Sequence, residues 1–265
     1  MNARFDYSGR AVFVAGGTSG INLGIARGFA AAGAVVGVGS RSAAKVEAAV
    51  ALLSRERPAH GFAFDVRDAE AVEAALAGFA AAAGPIDVVV SGAAGNFPAL
   101  ARDISPNGFR AVVDIDLLGT FHVMKAAYPH LRRPDGSLIA VSAPQAQVPM
   151  ALQAHVCAAK AGVEMLVRCL AVEWGAEGLR VNAVIPGPID GSEGMARLAP
   201  TPAMRARLAA GVPLGRLGEP AEIADVCLLL GSGAARYVSG ALLPADGGWM
   251  QRGAPLGLPE GMGGS

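Results

Sequence analysis

Strand-like and helix-like patterns alternate along most of the chain, from residue 11 to residue 243. Short apolar runs of strand length are each followed by a longer segment in which apolar residues recur at helical steps. This alternation is typical of a doubly wound α/β fold, in which helices cover both faces of a parallel sheet. We predict a single α/β domain over residues 1–265, with about seven parallel strands. The predicted strands are residues 11–14, 35–38, 62–64, 87–90, 137–141, 180–184 and 241–244.

The helix that is predicted to begin near Gln153 carries a lysine on its apolar side. Lys160 lies on the N-terminal extension of the apolar stripe, three residues before Val163. Its ammonium group should therefore point inward, where it is costly unless a negative group meets it. A lysine on a solvated helix face is the ordinary alternative, and the stripe favours a functional role instead. The stripe consists of Ala159, Val163, Leu166, Val167, Leu170, Ala171 and Trp174.

An aspartate holds a similar place on an earlier predicted helix. Asp116 lies among apolar residues at helical steps and should point inward, whereas Asp114 lies about 200° around the helix and should be a surface residue. Leu117, Leu118 and Phe121 form a second apolar face, and a helix that is apolar on two sides needs a partner. We therefore expect an oligomer. The inward face comprises Phe109, Val112, Val113, Thr120, Val123, Met124 and Ala127.

Composition and charge exclude several classes of partner. Lys and Arg together number 22, as do Asp and Glu, so no net field favours nucleic acid or an anionic membrane surface. The three cysteines lack the spacing of a disulfide framework, which favours reduced thiols, and we predict no metal site. The sequence shows no apolar run of signal-peptide or membrane-spanning length. We expect a cytoplasmic protein that binds neither nucleic acid nor membrane.

A glycine-rich turn joins the first predicted strand to the following helix. Residues 15–24 read Ala-Gly-Gly-Thr-Ser-Gly-Ile-Asn-Leu-Gly. Glycines at such a turn let the backbone approach a pyrophosphate, which then lies against the free N–H groups of the helix N-terminus. The alternative is a tight turn that binds nothing. The binding interpretation assigns the dinucleotide to Gly16, Thr18, Ser19, Gly20 and Ile21.

The residues at the end of the second predicted strand indicate whether the cofactor's ribose carries a 2′-hydroxyl or a 2′-phosphate. A carboxylate there would bind the 2′-hydroxyl of NAD and repel a 2′-phosphate. The chain has Ser40, Arg41 and Ser42 instead, and a guanidinium beside hydroxyls suits a phosphate. We predict NADPH as the cofactor. Alternatively, Arg41 is a solvated cap of the next helix.

The later part of the chain resembles the active-site half of the short-chain dehydrogenase/reductase family, which has a Rossmann-type fold. The resemblance rests on a strand at 137–141, a short loop, an Ala-Lys-Ala helix, Asn182 and the Pro-Gly pair at 186–187. It implies that Asp65 meets the adenine amine, although Asp65 could equally cap the following helix. The cofactor contacts that the resemblance adds are Asp65, Val66, Gly92, Ala93, Ala94, Lys160, Pro186, Gly187 and Ile189.

Several positions depart from the pattern of that family, and three of them bear on the catalytic hydroxyls or on the phosphate-binding turn. Val156 and Ala143 stand where the family has a catalytic tyrosine and serine. Asn22 stands where the family has the third glycine of the phosphate-binding turn, and it could shift the helix or the cofactor. Any chemistry must therefore proceed without either hydroxyl.

Two segments narrow the resemblance to the peroxisomal-type 2,4-dienoyl-CoA reductases. Residues 93–97 read Ala-Ala-Gly-Asn-Phe, and residues 116–120 read Asp-Leu-Leu-Gly-Thr, in which Asp116 replaces the usual Asn. That branch is similar in this substitution and in lacking the tyrosine, and its Asp and Lys act with an ordered water. The resemblance thus implies Asp116 and Lys160 as catalytic residues, an acyl-CoA thioester as substrate and a homotetramer.

The missing hydroxyls favour alkene reduction over carbonyl reduction. A ketone oxygen needs a proton donor such as a phenol, which Val156 cannot supply. A conjugated thioester needs oxyanion stabilisation and protonation of carbon, which Lys160, Asp116 and a water can provide. We predict NADPH-dependent reduction of a 2,4-dienoyl-CoA. The alternatives are a catalytically silent NADP(H)-binding protein and a carbonyl (3-oxoacyl) reductase that uses His155, whose side chain should point about 100° away from residue 156.

Residues 190–215 are predicted to form a substrate lid. Prolines 186 and 188 fix the loop before it, over the expected nicotinamide position. Arg197, Arg205 and Arg207 could hold the phosphates of coenzyme A, or they could be solvated helix charges.

Overall fold

A seven-stranded parallel sheet forms the centre of the computed structural model, which describes residues 4–192, 195 and 199–252. The strands are β1 (Ala11–Ala15), β2 (Val35–Ser40), β3 (Ala59–Ala63), β4 (Val88–Ser91), β5 (Ser137–Val141), β6 (Arg180–Pro186) and β7 (Leu242–Ala245). Their order across the sheet is β3-β2-β1-β4-β5-β6-β7. The strand order reverses between β1 and β4, and in open α/β sheets ligands bind at the carboxyl ends of the strands beside such a reversal.

Helices cover both faces of this sheet, as the sequence predicts. The α-helices of the described residues are α1 (Gly20–Ala31), α2 (Ala43–Leu53), α3 (Ala69–Ala83), α4 (Pro106–Val113), α5 (Gly119–Ala127), α6 (Ala154–Trp174), α7 (Pro202–Ala210) and α8 (Pro220–Gly231). In the part of the chain that the structure describes, no helix is long and apolar enough to cross a membrane.

Two apolar cores lie on opposite sides of the sheet because successive strand residues face opposite ways. Phe13 of β1 packs with residues of α3, α5 and α6, whereas its neighbours Val12 and Val14 pack with residues of α1, α2 and α8. Strands buried on both faces explain the continuous apolar runs in the sequence. Together the two cores fix the strand ends that carry the candidate site.

The third strand begins earlier than the pattern predicts. It spans Ala59–Ala63 rather than residues 62–64, and Phe64 follows it. As an edge strand it pairs only with β2, and Gly61 lies under α2, where an added Cβ would be 2.5 Å from a methyl carbon of Val46. Gly61 is required by this packing, but a glycine weakens the apolar pattern of a strand. The prediction therefore followed the apolar Phe62 and Phe64 and placed the strand too late in the chain.

The helix that carries Asp116 is not continuous. A single π-helical turn, Asp114–Leu118, separates α4 from α5, and the N–H of Gly119 donates to the carbonyl oxygen of Asp114. The extra residue in this turn rotates the following helix relative to the preceding one. Asp116 is buried, as predicted, but Phe109 is partly exposed, so its assignment to the same inward face was wrong.

Candidate active site

The glycine-rich turn lies flat against the end of β4. Gly16 has a positive φ of 79°, and a Cβ there would be 2.8 Å from the backbone nitrogen of Ala93. Ser19 is the N-cap of α1 but makes no capping hydrogen bond with its side chain. The first turn of α1 therefore offers its N–H groups to a ligand, which fits the predicted pyrophosphate site formed with Thr18, Gly20 and Ile21.

Asn22 joins α1 to the end of β4. Its Nδ2 donates to the carbonyl oxygen of Gly92 at 2.6 Å, and a Cβ on Gly92 would overlap the amide group. Residue 22 is thus larger than the glycine of the family pattern, and Gly92 provides the space that the Asn22 side chain needs. This exchange of sizes between the first turn of α1 and the end of β4 preserves the packing of α1.

The end of β2 has the features of a phosphate site. Ser40 Oγ is buried and has no hydrogen-bond partner among the described residues, and Arg41 beside it is exposed. Ser42 Oγ accepts from the Lys45 N–H at 3.3 Å and caps α2. The interpretation of Arg41 as the helix cap is therefore wrong, and its guanidinium is available for a ligand.

An arginine that the sequence analysis missed, Arg67, contacts the aspartate that is expected to bind adenine. Arg67 forms a salt bridge with Asp65 at 2.6 Å, and this hydrogen-bonded partner lowers the pKa of Asp65 below its usual range. The helix cap of α3 is Asp68, which accepts from the Ala71 N–H, so the capping alternative for Asp65 is wrong. Both carboxylate oxygens of Asp65 thus accept from Arg67, which holds the charged group in place at this end of the cleft.

Val66 is fixed from the π-helical side of the site. Its carbonyl oxygen is 2.8 Å from His122 Nδ1, and a Cβ on Gly119 would be 2.7 Å from its side chain. The glycine after the π turn therefore allows α5 to pack directly against the expected adenine-binding segment.

Asp116 and Lys160 converge at the centre of the site. Lys160 Nζ lies 3.3 Å from Asp116 Oδ2 and donates to the Val141 carbonyl oxygen at 3.0 Å. Asp116 Oδ1 accepts from the Gly95 N–H at 2.6 Å. Both side chains are almost fully buried, so the charges meet in a medium where attraction is strong. Thr120 Oγ1 donates to the Asp116 carbonyl oxygen and holds the turn.

Residues 156 and 143, where the family has its catalytic tyrosine and serine, carry no hydroxyl group. Val156 is buried against Val112 and Ala159, and Ala143 follows Ser142 at the end of β5. Ser142 Oγ donates to Glu164 Oε1 at 2.9 Å and is therefore engaged elsewhere. The neighbouring hydroxyl does not replace the missing one.

Glu164 is a buried acid that the sequence analysis missed. It also accepts from Gln147 Nε2 at 2.9 Å, so it ties the loop after β5 to α6. The signal for it was present, because Glu164 follows Lys160 by one helical turn on the same buried face. The inward-face argument used for Lys160 would have found it.

The loop after β6 is backed by the turn near residue 246. A Cβ on Gly187 would be 2.5 Å from the Cα of Asp246, so the two backbones meet closely beyond Pro186. Among the residues described, the Ile189 N–H has no backbone acceptor, because the flanking bridge uses Pro188, Asp190 and Gly218. This leaves one backbone donor for the expected carboxamide. Within the described ranges, the Asn182 side chain bonds only to the backbone of Val238 and Ala241, so its role is structural.

The predicted lid contains α7 and borders a cavity of about 580 Å³. Arg205 lies 3.7 Å from Asp190 and donates to the Ala199 carbonyl oxygen, so it binds its own segment. Arg207 is exposed, and Arg197 lies outside the described residues. Of the two arginines that the structure describes, Arg205 is thus engaged within the predicted lid and Arg207 is a solvent-exposed charge.

Comparison with known proteins places the chain among reductases. A model of the family described as Enoyl-(Acyl carrier protein) reductase matches residues 15–250. The peroxisomal 2,4-dienoyl-CoA reductase of Danio rerio, named as (3E)-enoyl-CoA-producing, is 38% identical over 92% of this chain and 82% of its own length. A Bacillus subtilis protein named "Probable 2,4-dienoyl-CoA reductase", (2E)-enoyl-CoA-producing, is 37% identical over 91% of this chain and 97% of its own. A short chain dehydrogenase structure from Bacillus anthracis has a TM-score of 0.83 and 34% identity, covering 93% of this chain and 99% of that one.

Proposed function

The chain belongs to the short-chain dehydrogenase/reductase family of oxidoreductases, and from that premise we propose that it reduces a 2,4-dienoyl-CoA thioester with NADPH. The observation that carries the proposal is the buried Asp116 and Lys160 pair at 3.3 Å, in a site without the tyrosine that carbonyl reduction uses. The similarity to 2,4-dienoyl-CoA reductases supports the same substrate class.

The described residues fit a nicotinamide dinucleotide. The backbone at Gly16 packs too closely against Ala93 to allow a side chain, which keeps this turn open to a phosphate. Ser40 Oγ is buried and has no hydrogen-bond partner among the described residues. When bound, NADPH supplies the hydride. The residues proposed to hold it are Gly16, Thr18, Ser19, Gly20, Ile21, Ser40, Arg41, Asp65, Val66, Gly92, Ala93, Ala94, Lys160, Pro186, Gly187 and Ile189.

Lys160 and Asp116 divide the remaining work. Lys160 binds the nicotinamide ribose and places positive charge beside the substrate, where it stabilises the oxyanion that forms on the thioester. Asp116 is fixed by the Gly95 N–H through one oxygen, and its second oxygen faces Lys160. That second oxygen orients a water, which gives its proton to carbon and is regenerated from solvent.

The same chemistry determines the product. Hydride addition to the δ-carbon of the diene leaves negative charge spread over the thioester oxygen, the α-carbon and the γ-carbon. Protonation at the α-carbon gives a 3-enoyl thioester, and protonation at the γ-carbon gives a 2-enoyl thioester. The place of the water beside Asp116 therefore selects between the two product types that the relatives' names specify.

The test is an assay of NADPH oxidation with 2,4-hexadienoyl-CoA, in which the absorbance of the reduced cofactor is monitored over time. Asp116→Asn preserves the size of the side chain and should lower kcat by about 100-fold or more. Asp114→Asn, in the same π turn, is the matched control and should retain the native rate. Full turnover by Asp116→Asn, or no turnover by the native protein, would contradict the proposal.

The silent cofactor-binding protein is separated from the enzyme by the same experiment. Tight NADPH binding without oxidation across dienoyl, enoyl and 3-oxoacyl thioesters would favour it. A preference for 3-oxoacyl thioesters would favour the carbonyl reductase instead.

We also propose a homotetramer and a cytoplasmic location. Support for assembly comes from large apolar side chains that are exposed on neighbouring helices, namely Leu118, Phe121, Met165 and Val172. The location stays a prediction, and several relatives are named as peroxisomal.

A further inference from the structure

His155 is fully buried at the start of α6, and its imidazole makes no hydrogen bond with the described residues. Neither ring nitrogen has a partner among the described residues. A neutral imidazole has one donor and one acceptor, and burying both without partners destabilises a folded protein. Buried polar groups of this kind usually have a partner, which points to a ligand that the chain does not itself supply.

Aromatic rings separate the imidazole from solvent. The ring centroid of Phe97 is 4.4 Å from that of His155, and that of Phe109 is 6.5 Å away. Both phenyl rings are partly exposed, at 37% and 38%. A single layer of side chains therefore covers the imidazole, and rotation of Phe97 would open it to the cleft.

Phe97 belongs to the loop whose backbone binds Asp116, the proposed catalytic carboxylate. Gly95, two residues before Phe97, donates its N–H to Asp116 at 2.6 Å. A short stretch of chain thus places the cover of His155 beside the proposed reaction site. His155 itself precedes Val156, which occupies the position of the absent tyrosine.

Apolar surface surrounds the same place. Leu100 and Leu152 are exposed, as are Phe97 and Phe109. The Ala99 N–H donates to the Leu152 carbonyl oxygen at 3.0 Å and joins the loop of Phe97 and Leu100 to the loop of Leu152, whereas Phe109 lies on α4. Such a surface suits an acyl chain, with a buried imidazole as its polar group.

A dienoyl thioester has one strong hydrogen-bond acceptor near its reacting carbons, the thioester carbonyl oxygen. We propose that His155 is a substrate-binding residue whose ring N–H donates to this oxygen once Phe97 turns aside. The inference rests on the proposed function and extends it. The hydrogen bond strengthens as negative charge collects on the oxygen during hydride transfer, and the surrounding apolar side chains exclude water from it.

The test uses two ligands that differ in this oxygen alone. Hexanoyl-CoA has the carbonyl, and S-hexyl-CoA is the thioether without it. Calorimetry with the full chain saturated with NADP⁺ gives the ratio of the two affinities within each variant, so a general loss of affinity does not change the result. His155→Phe keeps a ring but no donor, His155→Gln keeps an N–H donor, and His60→Gln is the control in β3.

We expect the native protein and His60→Gln to prefer the thioester, and His155→Phe to lose about 10-fold of that preference. His155→Gln should retain part of it. Equal loss for both ligands, or an unchanged ratio, overturns the inference while the proposed function stands. Binding of neither ligand by the native protein overturns both. If His155→Phe does not fold, an unchanged ratio in His155→Gln and in Phe97→Ala overturns the inference.

Discussion

Asn22 occupies the space that a side chain at residue 92 would need, and Gly92 in turn accepts a hydrogen bond from the Asn22 amide at 2.6 Å. The pair links α1, the helix proposed to bind the pyrophosphate, to the end of β4, which is proposed to lie against the cofactor. A change at either residue should therefore affect both cofactor affinity and folding.

Gly92→Ala should destabilise the protein by about 1–3 kcal/mol and weaken NADPH binding, because the new methyl group overlaps the Asn22 amide. Asn22→Gly removes the obstruction, so the double variant should recover most of the loss. Urea unfolding of the native protein, both single variants and the double variant measures the coupling. Additive effects would show that the two residues do not share this space.

The exchange between residues 22 and 92 shows what the sequence could and could not predict. Asn22 was visible as a departure from the family pattern, because a glycine is expected there, but nothing in the sequence marked Gly92 as its partner. Their contact spans 70 positions along the chain and depends on strand order. Pattern arguments predict the elements, but a long-range pair of complementary sizes becomes visible only in the fold.

The candidate site divides in a similar way. The inward directions of Asp116 and Lys160 follow from helical periodicity, and both are buried. The π turn between α4 and α5 could not be predicted, because its extra residue leaves no mark on local composition. Arg67 was missed for another reason: a charged residue in a loop looks solvated until its partner is known.

Lys160→Met should destabilise the protein by about 3–5 kcal/mol, because it leaves the Asp116 carboxylate buried with the Gly95 N–H as the one partner of its side chain among the residues that the structure describes. Adding Asp116→Asn to Lys160→Met removes the unpaired charge and should restore much of the stability. The free energies of unfolding, from denaturant titration, provide the measurement. A double variant as unstable as the sum of the single variants would contradict the ion-pair interpretation.

Arg41→Gln should weaken NADPH binding by about 10-fold and leave NADH binding unchanged, because the guanidinium is expected to meet only the 2′-phosphate. Ser40→Asp should shift the preference toward NADH, since a carboxylate repels the phosphate and binds the ribose hydroxyl. Dissociation constants from fluorescence titration test both changes. Arg55→Gln, an exposed arginine just beyond the other end of α2, is the control. Equal losses for NADPH and NADH would contradict the assignment.

Phe121→Glu should dissociate the proposed tetramer, because it places a charge on the exposed apolar side of α5. Met165→Glu on α6 should act in the same direction. Mass photometry of each variant gives the assembly state directly. Ala48→Glu, at an exposed position on α2 across the sheet, is the matched control and should leave the assembly intact. A monomeric native protein would remove the basis for the prediction.

Glu222 should make folding stability depend on pH at the acidic end. Its carboxylate forms a salt bridge with Arg216 at 2.5 Å and accepts from the Glu219 N–H at the start of α8. The hydrogen bond from Arg216 lowers the pKa of Glu222 from 4.5 to about 2. A carboxyl group whose pKa is lower in the folded state stabilises the protein above its unfolded pKa, and that stabilisation is lost as the pH falls from 4.5 to about 2.

Glu222→Gln should therefore be less stable than the native protein at neutral pH, by about 0.5 kcal/mol after screening by solvent. The difference should shrink as the pH approaches 2, because the native carboxyl group is then protonated. Urea midpoints at neutral pH and near the acidic limit measure it, with Asp225→Asn, an exposed acid on the same helix, as the control. A difference that stays constant with pH would mean that packing, rather than charge, stabilises the start of α8 at the border of the lid cavity.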